Sequence, residues 1–284
     1  FDVLGGLLGQ GNPAFMCAAG FSDSPHFMYS GYNKDGEWYQ LYQIGFGGIP
    51  GKPFGDGPDG HSLWPSFTNV PNEFLESYFP LRIDTYETIT DSGGPGKFRG
   101  GNGIRIGYHF LEPGEISIHD DRWLTYPWGV NGGLPGARSR KRLQRKNGSE
   151  ELLPSKTDRV KVEVGDLLLY ETWGGGGCGD PLERDPALVL FDVEAGLVTE
   201  SGARRYGVVI QNDRVDSAAT AELRARMAKE RGKAPLFDRG FANIDELKAR
   251  CLSETGLPPP ATPRFSALTR ARAKPAPAKQ RSHA

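Results

Sequence analysis

Short runs rich in glycine recur along the chain and most constrain how it can fold. The chain has 39 glycines among 284 residues, roughly twice the usual share of about 7%. The runs follow no fixed period and separate β-type segments. Glycine lets the backbone turn sharply and pack closely against a neighbour. The pattern therefore predicts tight turns and close backbone packing rather than a collagen-like or low-complexity chain.

The segments between the first glycine runs favour β-strands. Residues 27–31 and 38–44 predict a hairpin, because an Asp-Gly turn signal lies between them. The segments 104–111 and 115–122 predict a second strand pair across a Glu-Pro-Gly turn. A polar hairpin is expected around Asn147-Gly148.

Helical patterns begin after the run GGGGCGDP. Asp185-Pro186 is a helix start signal, Ser217 is the expected cap of an amphipathic helix, and Gly256 is the expected stop of a last helix. The fold class predicted is α+β. We expect one domain over 1–256, β-rich over 1–173 with Gly-rich loops and helical over 174–256, followed by a flexible tail over 257–284.

Composition excludes several function classes. The 34 basic and 35 acidic residues nearly cancel, which argues against nucleic acid or an anionic membrane as a partner. The sequence contains no apolar stretch of about 18 residues and no secretory signal pattern. The three cysteines are far apart, so we expect a reduced, cytoplasmic protein without disulfides.

The glycine loop at 45–60 leads into three ionisable residues, Asp56, Asp59 and His61. They offer charge and proton-transfer capacity within six positions, so we predict that they are catalytic, with His61 or Asp56 as a general base. The alternative is that all three form turns. Cys178, between glycines, is a further but weaker nucleophile candidate.

Four nearby residues are predicted to bind substrate. Gly47 and Gly48 remove side chains where a ligand would approach, while Asn69 and Glu73 could orient an amide. Each pair has a structural alternative. The glycines could form turns, and Asn69 and Glu73 could cap a short helix that starts near Pro71.

A cluster of ionisable residues at a strand end suggests metal or proton chemistry. His119 and Asp120 are the predicted metal ligands, and a structural ion pair explains the adjacent Asp121 and Arg122 almost as well. The run GGGGCGDP lacks the Gly-Lys-Ser/Thr of a phosphate loop, so no ATP site is assigned to this chain. The basic run at 138–146 predicts a solvated hairpin.

Four blocks, in order, resemble the hydantoinase B/oxoprolinase family. They are DGPDGHSLWPSFTNVPNEFLESYFPLRI, DSGGPGKFRGGNGI, DDRWLTYPWGVNGGLPGA and ETWGGGGCGDPLERDPALVLFDVEAGLVT. The family often has a His-x-His-Met pattern before its Thr-Asn. This chain has His61-Ser62-Leu63-Trp64 there, so one histidine of that pair is missing.

The resemblance implies a function. Such subunits work with a hydantoinase A-type partner that carries ATP and Mg²⁺, and several members bind a divalent metal such as Zn or Mn. The chain would be the C-terminal part of such a subunit, in an amidohydrolase that opens a cyclic amide. The alternatives are a subunit of an acetone or acetophenone carboxylase-type enzyme, and a non-catalytic β-rich scaffold.

Overall fold

The computed structural model of the protein describes residues 2–20, 25–62 and 68–261. Its strands are β1 (His26–Tyr32), β2 (Trp38–Ile44), β3 (Leu81–Thr88), β4 (Ile104–Phe110), β5 (Gly114–His119), β6 (Gly129–Val130), β7 (Arg140–Gln144), β8 (Glu150–Leu153), β9 (Lys156–Val162), β10 (Leu167–Glu171), β11 (Ile210–Gln211), β12 (Arg214–Val215) and β13 (Phe237–Asp238). Its α-helices are α1 (Asp2–Gly11), α2 (Asn72–Tyr78), α3 (Pro186–Glu194), α4 (Glu200–Ala203), α5 (Ser217–Arg231) and α6 (Ile244–Thr255). Residues 262–284, most of the predicted tail, lie outside the described residues.

Two antiparallel sheets form the body of the protein. One has the strand order β2-β1-β5-β9 and the other β3-β4-β10-β7-β8. Apolar side chains of both sheets belong to a single buried cluster. Across it, Phe27 stacks on Tyr108 with ring centroids 4.3 Å apart, and Tyr29 meets Phe110 edge-on at 4.9 Å. The predicted α+β class is confirmed, with the core between the sheets.

The predicted pairing of the segments 104–111 and 115–122 is wrong. β4 pairs with β3 and β10, whereas β5 pairs with β1 and β9 in the other sheet. The turn between them is therefore a corner rather than a hairpin. Both strands carry apolar residues that face the same core from opposite sides, and this alternation is the same for either pairing.

The helices of the C-terminal part start and stop largely where the sequence indicates. Asp185 caps α3 by accepting a hydrogen bond from the Ala187 backbone, and Gly256 ends α6 in the left-handed region. α5 is capped by Asp216 rather than by the predicted Ser217, because the Asp216 carboxylate accepts from the Ala219 backbone. A small second core packs α3 against the segment that follows it. Within the described residues, no helix is long and apolar enough to span a bilayer.

Candidate functional site

Glycine-rich segments from distant parts of the chain pack directly on one another. We call this the glycine layer, formed by the segments 45–60, 91–103, 129–136 and 174–179. Its backbones are hydrogen bonded: the Gly175 amide donates to the Gly101 carbonyl at 2.8 Å, and the Gly94 amide donates to the Gly175 carbonyl at 2.7 Å. A Cβ added at Gly100 would lie 2.0 Å from the Gly175 carbonyl oxygen, and one added at Gly175 would lie 2.2 Å from the Ile49 carbonyl oxygen, so the layer needs glycine for packing.

Gly47 and Gly48, the predicted substrate-binding glycines, belong to this layer and are buried. A Cβ on Gly48 would lie 1.9 Å from the carbonyl oxygen of Gly101, and a Cβ on Gly47 would lie 3.1 Å from the Trp173 ring. Internal packing therefore accounts for glycine at both positions. Contact with a substrate there stays a prediction.

Asp56 and Asp59 belong to a glycine-layer segment, and their carboxylates form ion pairs with buried arginines. We call Asp56, Asp59, Arg99, Arg184 and Asp192 the ion-pair network. Arg184 donates to both oxygens of Asp56 at 2.7 and 2.8 Å, and to Asp192 at 2.8 Å. Arg99 donates to both oxygens of Asp59 at 2.7 and 3.1 Å. Both arginines are almost fully buried.

The surroundings of Asp56 make it a poor proton acceptor. Burial would raise the pKa of its carboxyl group, but hydrogen bonds from Arg184 and from the Arg99 backbone outweigh burial and lower that pKa. A general base works best with a pKa near the operating pH. The contacts of Asp56 and Asp59 thus favour the alternative that they fix turns and ion pairs, and a catalytic role for either stays a prediction.

His61 differs from the two aspartates in that it forms no ion pair with a described residue. Its side chain is exposed, and its backbone forms a β-bridge with Gly47. Its Nδ1 lies 2.6 Å from the Ser62 carbonyl oxygen. A carbonyl oxygen can only accept, so Nδ1 carries the proton and Nε2 of the neutral ring has the free lone pair. Of the three predicted catalytic residues, His61 has the chemistry of a base.

Asn69 and Glu73 flank the start of α2 but do not cap it. The position before α2 is Pro71, and no side chain accepts a capping hydrogen bond there. Asn69 instead donates its amide to the Tyr86 hydroxyl, and Glu73 is exposed in the first helical turn. The capping alternative is therefore wrong for both residues, and substrate contact stays a prediction.

His119 and Asp120 occupy different environments. His119 is exposed, whereas Asp120 is fully buried and forms an ion pair with the equally buried Lys141. Within the described ranges, no three His, Cys, Asp or Glu side chains stand close enough to hold a metal ion. A metal site at His119 and Asp120 stays a prediction. Cys178 is buried as well, and burial raises the pKa of its thiol to about 11, which makes it a poor nucleophile.

The structure also contains a charged cavity with a volume of 570 Å³, which the sequence does not predict. We call it the arginine pocket. It lies on the outer face of the five-stranded sheet, between the loops at 89–92 and 135–138 and helix α6. Its charged lining residues are Arg105, Arg138, Arg140, Arg142, Arg205, Arg250, Asp91, Glu171 and Glu254. The alternating arginines of the predicted solvated hairpin were the available signal, since every second residue of a strand shares a face.

Comparison with known proteins agrees with this architecture. The family profile Hydantoinase B/oxoprolinase matches residues 1–181. The B-type subunit of a candidate D-/L-hydantoinase from Pseudomonas sp. (strain NS671) is 34% identical over 213 residues, 73% of this chain and 36% of that protein. The acetophenone carboxylase delta subunit of Aromatoleum aromaticum is 31% identical, over 65% of this chain and 32% of that protein.

A solved structure is also similar. The ATP-dependent caprolactamase from Pseudomonas jessenii superimposes with a TM-score of 0.61 and 30% identity, over 77% of this chain and 40% of that chain. The chain spans about a third of the length of the curated relatives named above. With the profile matching well over half of its residues, the chain belongs to the hydantoinase B/oxoprolinase family.

Proposed function

We propose that this chain is part of the B-type subunit of an ATP-dependent amidohydrolase that opens a cyclic amide. The observation that carries the proposal is the 34% identity to the D-/L-hydantoinase relative over 73% of the chain. The similarity to the ATP-dependent caprolactamase structure supports the same class, because a caprolactam is also a cyclic amide. Family folds support several chemistries, so substrate must be tested directly.

ATP with Mg²⁺ would act in a hydantoinase A-type partner subunit. The glycine run before Asp180 has no Gly-Lys-Ser/Thr, and its glycines are packed against the chain's own backbone rather than arranged around a phosphate. In the proposed reaction, ATP transfers its γ-phosphate to the amide oxygen, which gives ADP and an imidate phosphate with a more electrophilic carbon. One water adds to that carbon and the C–N bond breaks, which leaves an amine and an acyl phosphate. A second water releases inorganic phosphate and gives the carboxylate.

Within this chain, we propose His61 as the group that takes the proton from water. The proposal depends on its exposure and on the lone pair that the Ser62 contact leaves at Nε2. A base of this kind typically contributes about 10²–10⁴-fold to the rate. Asp56 and Asp59 would support the loop that carries His61 through their arginine partners.

A ketone carboxylase is the second candidate function. It is favoured by the 31% identity to the acetophenone carboxylase delta subunit. The third is a scaffold without catalytic residues, and the internally packed glycine layer is the observation in its favour. These candidates differ in what they consume: a cyclic amide and water, a ketone and bicarbonate, or neither.

The test is ADP release by the reconstituted assembly. The subunit that contains this chain is purified with its A-type partner and supplied with ATP, Mg²⁺ and either a cyclic amide or a ketone with bicarbonate. We expect ADP release with a cyclic amide, in step with ring opening, and none from either subunit alone. Release with ketone and bicarbonate only would replace the proposal by the carboxylase. Full activity of the partner without this subunit would leave only the scaffold.

A further inference from the structure

Arginines outnumber carboxylates in the lining of the arginine pocket. Six arginines and three carboxylates line it. Glu171 accepts from Arg105 at 2.7 Å and from Arg142 at 3.3 Å. Glu254 accepts from Arg138 and Arg250, both at 3.0 Å. Four of the arginines are thus engaged with two carboxylates.

Arg140 and Arg205 are the two that remain. Both side chains are exposed, and no carboxylate within the described residues lies at salt-bridge distance from either. Among the described residues, Arg205 donates only to the backbone carbonyl of Asp91, at 3.3 Å. Two guanidinium groups with free donors therefore line one cavity, and a guanidinium fork matches a carboxylate bidentately.

The pocket is built rather than incidental. The Glu171 carboxylate is held between β4 and β7, since Arg105 on β4 and Arg142 on β7 both donate to it. The buried guanidinium of Arg138 lies 4.0 Å from the centre of the Tyr126 ring and donates to the Tyr126 hydroxyl at 2.7 Å. The 570 Å³ volume falls in the range of small-molecule sites, about 300–1,000 Å³.

We propose that the arginine pocket binds a small organic monocarboxylate that also carries hydrogen-bond donors. The carboxylate would pair with Arg140 and Arg205. The ligand's donors, such as an amide N–H, would face the carboxylates of Asp91, Glu171 and Glu254. The last two already accept hydrogen bonds from arginines of the pocket. These three carboxylates disfavour a multiply charged phosphate, because like charges at close range repel. The proposal is separate from the proposed function, since it concerns binding by this chain alone.

Calorimetric titration of the full 284-residue chain with three probes tests the proposal. The probes are N-acetylglycine, its neutral amide N-acetylglycinamide, and inorganic phosphate. We expect N-acetylglycine to bind with a dissociation constant of about 1 mM or below, as befits a ligand of its size. The neutral amide and phosphate should bind at least about tenfold more weakly, because a charge-assisted contact is lost or opposed.

Matched arginine variants locate the site. Arg140→Gln and Arg205→Gln should each weaken N-acetylglycine binding about tenfold. Arg226→Gln removes the same charge from an exposed position of α5 outside the pocket and should leave binding unchanged. Unchanged melting of all three shows that each is folded.

Four results would overturn the assignment. They are no binding of N-acetylglycine by the unmodified chain, equal binding of the neutral amide, tighter binding of phosphate, and equal weakening by Arg226→Gln. The first removes the site, the second its charge requirement, the third its carboxylate preference and the fourth its location. None of the four depends on ATP or on the partner subunit, so failure here is distinct from failure of the proposed amidohydrolase.

Discussion

The ion-pair network and the arginine pocket use the same residue types in opposite ways. In the network, Arg99 and Arg184 are almost fully buried and each is held by two aspartates. In the pocket, Arg140 and Arg205 are exposed and have no carboxylate partner among the described residues. Buried charges must be satisfied internally, whereas exposed donors can be satisfied by a ligand. The comparison suggests that charge alone does not mark a site, and that unused hydrogen-bonding capacity does.

The largest expected effect comes from removing a buried arginine of the network. Arg184→Met leaves Asp56 and Asp192 without their shared partner, so we expect a loss of about 3–5 kcal/mol in the free energy of unfolding. The matched Arg140→Met in the pocket breaks no ion pair and should change it by less than about 0.5 kcal/mol. Urea unfolding of both variants measures the contrast, and equal losses would remove the distinction between the two regions.

The glycine layer should show the next largest effect. Gly48→Ala places a methyl group 1.9 Å from the Gly101 carbonyl oxygen, and overpacking of this kind costs about 1–3 kcal/mol. Gly5→Ala in helix α1 is the control, because the methyl group added there would meet no heavy atom within 4 Å and alanine favours a helix by up to about 1 kcal/mol. A Gly48→Ala protein as stable as the unmodified chain would mean that the layer is loosely packed.

Much of this architecture could be predicted because its signals are local. The Asp-Gly turn between β1 and β2, Asp185-Pro186 at the start of α3 and Gly256 after α6 each act within a few residues. The assignment of β4 and β5 to different sheets is not local. Alternating apolar residues specify a buried face but not which strand lies beside it.

The site could be predicted only in part, for the same reason. Asp56, Asp59 and His61 are close in sequence, so sequence reasoning predicts the same catalytic role for all three. The arginine that holds Asp56 comes 128 positions later, and the one that holds Asp59 comes 40 positions later. Nothing near Asp56 in the sequence reveals that its carboxylate is already engaged. The arginine pocket likewise collects residues from several separate segments.

The smallest expected effect concerns the ion pair between Asp180 and Arg231. Its side chains are partly exposed, so its burial lies between that of the ion-pair network and that of the free arginines of the pocket. A hydrogen bond from Arg231 lowers the pKa of Asp180. An aspartate with a lowered folded-state pKa stabilises the fold above its unfolded pKa of about 3.9, and this stability is lost as pH falls through the folded-state value. We expect Asp180→Asn to cost up to about 1 kcal/mol at pH 7 and to flatten the decline in stability below about pH 4. Thermal unfolding from about pH 7 down to about pH 2.5 checks both, and an unaltered pH slope would contradict the pairing.

The most direct test of the proposed chemistry compares Asp56 with His61 in the assembled enzyme. Melting temperature and single-turnover rate are measured on the same preparations of Asp56→Asn and His61→Ala. The contacts of Asp56 predict lowered melting with a nearly intact rate per folded molecule. The free lone pair of His61 predicts a rate lowered by about 10²–10⁴-fold with little change in melting. An unchanged rate for His61→Ala would contradict the proposal that His61 is the base. A rate loss without destabilisation for Asp56→Asn would contradict the structural role of Asp56.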